Sequence, residues 1–381
     1  MLNQTELSEL VVLRHALHKA PEISGEEAET AKTIAAYLMA LSPDGLVTQL
    51  GGHGVAAIFE GAAPGPTILI RCELDGLPIR EISELRHRSR IDGKGHLCGH
   101  DGHMAIVCGL AKPLQAQRPR SGRVVLLFQP AEETGAGAYA VTTDPKFAAM
   151  KPDYAFALHN FPGAKLGMAL IKQGPINCAS RGLRVVFEGK TSHASNPADG
   201  ISPMGAISTL MPELTEFSKG DVNDADFALV TIVHAALGEA AFGISPGRAE
   251  VWATLRTIAD DQMDRLVAAC EQSAARLAGV HGLKHIVSYD DVFAASDNNP
   301  VATAMVLEAL ELESVSHKIL SAPARWSEDF GVFGQHCKSA MFFLGSGENQ
   351  PQLHNPDFDF PDELIETGVK IFHQIIRRKL K

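Results

Sequence analysis

Residues 124–128 (VVLLF) form an unbroken apolar run, too short for an ordinary helix and too apolar to leave one side in water. Such a run suits a strand in a sheet covered on both faces. Residues 54–59 (GVAAIF), 67–72 (TILIRC) and 154–158 (YAFAL) read as companion strands. A helix opening near Gly102 separates two of these runs, which is a strand–helix–strand order. Two helices precede them. Thr5 can cap one that runs to about Lys19, and SGEE at 24–27 has the capping-box spacing to open another, to about Leu41.

From about Ala179 the texture changes. Strands at 183–187, 228–234, 249–255 and 285–289 alternate with helices at 203–217 and 261–277, an order that fits a small α+β domain. From Asn299 onward the chain returns to helix, strand (340–344) and a terminal helix from about Pro361. The length of 381 residues suits two domains. The expected organisation is therefore a discontinuous α/β core, 1–178 and 293–381, interrupted by an α+β domain at 179–292. Strands of the insert could pair or pack across a two-fold axis, so a homodimer is expected.

The chain carries 45 acidic against 34 basic residues, a net charge of −11. That argues against a nucleic-acid or anionic-membrane partner. The basic residues at 377–381 (RRKLK) read as the solvated end of a helix. No stretch approaches the roughly 18 apolar residues of a membrane span, and MLNQTE lacks the start of a signal peptide. Six cysteines without framework spacing point to a reducing, cytoplasmic setting.

Four elements carry chemistry. In 95–103 (GHLCGHDGH), Cys98 and His100 sit two apart on a glycine-rich loop that opens a helix, so both can reach one metal ion. In 128–135 (FQPAEETG), Glu132 and Glu133 follow an apolar strand, where α/β sheets place their sites. One carboxylate can bind metal while the other takes a proton from water. His159 ends the strand YAFAL, and His354 (LHNP) precedes the last helix. Together these supply five N, O and S ligands and a spare carboxylate, enough for two metals. Asp75, after the strand at 67–72, could orient a ligating imidazole. In the insert, His193 stands among small residues (GKTSHAS), and Arg256 is a cation in an apolar strand that needs an anionic partner.

At this point the chain resembles the zinc-dependent amidohydrolases that include aminoacylases, hippurate hydrolase and auxin-conjugate hydrolases, with carboxypeptidase G more distant. The motifs span nearly its whole length: 14–27 (RHALHKAPEISGEE), 71–78, 98–103, 129–135, 157–160, 189–195, 326–330 (WSEDF) and 353–356. The resemblance implies a mixed sheet flanked by helices, carrying an inserted lid with a four-stranded sheet and two helices. It implies a binuclear site held by Cys98, His100, Glu133, His159 and His354, with Glu132 as general base and later general acid. His193 resembles a lid histidine that polarises the scissile carbonyl, in some members across a dimer. Arg256 matches a lid arginine that binds the substrate carboxylate. The implied reaction is hydrolysis of N-acyl amino acids with two divalent ions, for which Zn²⁺, Mn²⁺, Co²⁺ and Ni²⁺ all suit the ligand set.

One departure concerns Glu73, which stands where the wider family often has the histidine of a His-x-Asp pair and leaves open whether it contacts metal. Three rivals remain: a dipeptidase or carboxypeptidase using the same site, a Cys98 thiol nucleophile, and a silent binding protein. Residues two apart on a tight loop rarely give a nucleophile and its base the required geometry.

Overall fold

The apolar runs become the middle of an eight-stranded mixed sheet in a computed structural model that describes residues 2–381. Its strands are β1 (Gly45–Leu50), β2 (Gly54–Glu60), β3 (Thr67–Glu73), β4 (Arg123–Gln129), β5 (Tyr154–Pro162), β6 (Ala169–Ile171), β7 (His317–Ile319) and β8 (Lys338–Gly347). They lie in the order β1-β2-β4-β3-β5-β8-β6-β7. The four central strands β4, β3, β5 and β8 are parallel, and all seven residues of β3 are buried. The unbroken apolar pattern is therefore explained by cover on both faces of the sheet. Helices α1 (Gln4–His18), α2 (Ala28–Met39), α3 (His100–Gly109) and α4 (Leu364–Lys379) pack against one another and the sheet around a single core.

Contacts divide the chain into two units. The first runs to Ile176 and resumes at Ser296–Ser321 and Asp329–Lys381. The second comprises Asn177–Ala295 and Ala322–Glu328, the latter a return that no feature of the sequence marks. The second unit is an antiparallel four-stranded sheet, in the order Ala228–Leu237, Arg248–Thr257, Ala179–Glu188, Lys284–Phe293. Helices Met204–Glu216 and Asp260–His281 cover one face of it over a core that includes Phe187, Leu210, Leu255 and Leu277. Among the described residues no helix is long and apolar enough to cross a membrane.

Several local expectations are corrected. Asn3, not Thr5, caps α1, and its side chain and that of Glu6 form a reciprocal capping box. The SGEE spacing does not make a capping box, because α2 begins only at Ala28 with no side-chain cap. Ser24 instead donates to Asp75 Oδ2 at 2.7 Å. Strand β5 does not stop at His159 but runs on to Pro162, and α4 starts at Leu364 rather than Pro361. Strands β1, β6 and β7 are too short or too polar to be read from the sequence.

On α1, His15 pairs with Asp362, and His18 lies deeper in the same polar cluster. His18 is fully buried, 2.9 Å from Asp101 Oδ2 and 3.2 Å from Glu81 Oε2. Burial opposes its charge, but these acids raise its imidazole to about 10. Arg14, one helical turn earlier, donates to Asp101 and Asp359. This buried polar cluster ties α1 to the start of α3.

Candidate active site

The carboxyl ends of β3, β4 and β5 meet along one edge, the usual place for a site in a parallel sheet. Register sets Glu73 beside Gln129 and Arg71 beside Ala157, so residues just beyond these pairs in all three strands face one another.

His100 is the second residue after Cys98 and the first of α3. The turn into the helix passes through Gly99 at φ 96°, where a Cβ would lie 2.1 Å from Asn160 Oδ1, so only glycine fits. His100 Nδ1 donates to the Asp75 backbone oxygen at 2.8 Å. Its Nε2 is buried without a hydrogen-bond partner, 3.7 Å from Glu132 Oε2 and 3.8 Å from Glu133 Oε1. Burial alone would depress this imidazole, but hydrogen bonding with Asp75 and the charges of Glu73 and Glu133 raise it to about 10. His159 Nδ1 donates to Asn160 O at 2.8 Å, which leaves its Nε2 facing Cys98 Sγ at 3.4 Å. Burial and the neighbouring His103 hold His159 well below the usual imidazole value, so it is neutral.

Glu132 and Glu133 follow β4 through Ala131, a non-glycine residue at φ 50°. Strain of this kind recurs at functional sites. The turn is held from two sides: the Ala131 N–H donates to Glu27 at 2.7 Å, and the Glu133 N–H donates to Asp75 Oδ2 at 3.0 Å. Asp75 thus works through both ends, its backbone on His100 and its carboxylate on the Glu133 turn. His354 also has a left-handed backbone, φ 65°, and its N–H donates to Leu97 O at 2.8 Å. Its Nε2 lies 3.5 Å from Glu133 Oε2, and its side chain is 49% exposed where the other donors are buried or nearly so.

Ligand atoms converge within 4.8 Å in three overlapping groups: Cys98, His100 and His159; Cys98, Glu133 and His354; His100, Glu132 and Glu133. Cys98 belongs to the first two, which makes two neighbouring cation positions available. A soft thiolate, imidazole nitrogens and a carboxylate suit a borderline divalent ion, and the unpartnered His100 Nε2 is explained by one. Glu73, His100 and His103 also come together. There, however, Glu73 is paired with the Arg71 guanidinium and with His103 Nδ1, and a cation already sits beside the carboxylate.

His193 and Arg256 lie in the second unit. His193 is exposed on a two-residue strand, and its Nδ1 accepts the Ser195 N–H at 3.1 Å, which leaves Nε2 as the donor nitrogen. Arg256 does not find the anionic partner that its place in an apolar strand demands. Its Nη1 donates to the Arg325 backbone oxygen at 3.0 Å and to Ser327 Oγ at 3.1 Å, both neutral acceptors.

Sequence reasoning missed the layer beneath the donors. Arg71 Nε donates to Gln129 Oε1 at 2.9 Å and its Nη2 to Asp329, while Gln129 Nε2 and the Ala138 N–H also donate to Asp329. His103 and Asn160 form a second chain, and Glu27 braces Ala131. The signals present were a basic residue inside the apolar strand TILIRC and a histidine one turn past His100.

Comparison with known proteins places this geometry. The model of peptidase family M20/M25/M40 matches residues 69–378. An N-acetyl-L-cysteine deacetylase of Bacillus subtilis is 31% identical over 381 residues, 98% of this chain and 88% of that protein. An N-acetyldiaminopimelate deacetylase of Listeria monocytogenes is 28% identical over 373 residues, 98% and 100% of the two chains. Among solved structures, the YXEP protein of Bacillus subtilis, described as a dinuclear metal binding peptidase of the M20 family, superposes with a TM-score of 0.83 at 25% identity, covering 99% of each chain.

Proposed function

The chain belongs to peptidase family M20/M25/M40, and from that premise we propose that it is a metal-dependent amidohydrolase that cleaves N-acyl amino acids to a carboxylic acid and a free amino acid. The observation that carries this reading is the convergence of Cys98, His100, Glu133, His159 and His354, with the Glu132 carboxylate beside them. Relatives named as deacetylases of N-acetylated amino acids support the substrate class.

Cys98, His100, Glu133, His159 and His354 would hold two divalent ions. Bound there, the ions supply Lewis acidity towards the amide carbonyl and lower the pKa of an attacking water to about 7. Glu132 takes the proton of that water as its oxygen adds to the carbonyl carbon. The same carboxyl then gives the proton to the nitrogen as the C–N bond breaks, which balances the reaction. His193 Nε2 supplies a hydrogen bond to the developing oxyanion. Arg256, with no carboxylate contact of its own among the described residues, receives the substrate carboxylate. Asp75 positions His100 and the Glu133 turn. All six cysteines are free, which fits work in the cytoplasm.

Free-amine release from N-acetyl, N-benzoyl and indole-acetyl amino acids and from dipeptides tests the reading. Turnover of the acyl amino acids is expected to vanish on chelation and to return with Mn²⁺ or Zn²⁺. Chelator-insensitive turnover would overturn the metal reading, and faster cleavage of dipeptides would make the protein a peptidase.

We also infer a homodimer through the second unit. Its edge strand Ala228–Leu237 and the segment after it expose Val233, Phe242 and Ile244, more apolar surface than a free edge normally shows. Light scattering should give twice the chain mass; the mass of one chain would sink the inference.

A further inference from the structure

We propose that His103 is a positioning residue, one that holds His159, and through it the Cys98 loop, in ligating geometry. The inference rests on the metal-dependent reading above.

His103 is 1% exposed and lies one turn into α3. Its Nδ1 donates to Glu73 Oε2 at 2.7 Å, and Glu73 is pinned in turn by the Arg71 guanidinium. The Nε2 of His103 faces Asn160, whose backbone nitrogen lies 3.2 Å away. The Asn160 carboxamide meets the same Nε2 at 2.7 Å. Both bonds grip Asn160, whose carbonyl accepts from His159 Nδ1. That last bond selects the tautomer in which the His159 Nε2 lone pair faces Cys98.

Packing reinforces the chain. The His103 and His159 rings meet edge to face with centroids 4.8 Å apart, so one cannot shift without the other. Gly99, next to Cys98, is moulded on the Asn160 side chain. His103 has no role of its own in amide hydrolysis, because both its nitrogens are engaged inside the protein. Its effect passes through Asn160 to the ligand, as hydrogen-bond partners behind metal-bound histidines act elsewhere.

Cobalt(II) is the probe. The metal-free parent, His103→Phe and His103→Asn are titrated with Co²⁺, following the near-ultraviolet thiolate-to-cobalt band that reports Cys98 as a ligand. Affinity is measured by competition with a chelator, and melting of the metal-free proteins is recorded alongside. Phenylalanine fills the ring's volume but makes neither bond. Asparagine can still donate to Glu73 but is too short to reach Asn160, so it keeps the anchor and cuts the grip. Both variants are expected to lose about 10–100-fold in Co²⁺ affinity with a weakened or displaced band. Parent-like affinity and band in either folded variant overturn the proposal alone. A parent without any thiolate band overturns the metal reading and this proposal with it.

Discussion

Glu132→Gln is expected to bind metal like the parent and to lose about 10²–10⁴-fold in kcat, the usual contribution of a positioned acid–base group. The substitution keeps the size and shape of the side chain at a site that is 5% exposed, so the fold and the neighbouring donors are undisturbed. It removes only the ability to hold and release a proton. Glu132 Oε2 stands 3.7 Å from His100 Nε2, close enough to meet a water held at the same edge. Metal content and KM should change little while kcat collapses, the pattern of an interaction made only in the transition state. Initial rates at saturating substrate, with metal content measured on the same samples, decide the matter. Turnover within a few-fold of the parent would take Glu132 out of the proton-carrying role.

Arg71→Met is expected to be strongly destabilising to the first unit. Arg71, Glu73 and Asp329 are buried to 1% exposure or less, and the guanidinium lies between the two carboxylates. Burial works to raise the Glu73 carboxyl, but Arg71, with His103, holds it well below the ordinary carboxylate range. Methionine fills much of the space and leaves two buried anions without their cation. Removing one partner of such a pair costs about 3–5 kcal/mol, far more than the pair contributes over an apolar replacement. Urea unfolding of the metal-free protein reads the loss. Adding Asp329→Asn to the variant removes one stranded charge and should restore part of the stability. A loss under about 1 kcal/mol would show that the network is not holding the sheet edge.

The central strands were legible because their apolar runs have one stable environment, and the candidate donors because they sit just past those runs. Cys98, His100, Glu133, His159 and His354 do converge as that spacing implies. What was not legible depends on distance along the chain. Arg71 reads as an oddity in an apolar strand because its partner Asp329 lies 258 residues away. Glu27 fits a local capping pattern, yet its carboxylate accepts from Ala131, 104 residues on, as well as from the local Gly25 N–H. Glu73 could be read as a ligand or as a bystander until its two partners were seen. His18 on an amphipathic helix gives no hint that Asp101 waits beneath it. Local pattern thus reports the elements and the donors, whereas the groups that hold those donors still are set by tertiary pairing.

The strand order has a consequence for how the protein is made. Strand β8 lies between β5 and β6, yet its residues, Lys338–Gly347, emerge from the ribosome long after both. At about 5–20 residues per second, β5 waits roughly 10–35 s with an unpaired parallel edge. Meanwhile nearly all of the second unit, Asn177–Ala295, has been synthesised with a core of its own. The nascent chain therefore carries an open, aggregation-prone edge through that interval, and the donor His354 is made only after β8.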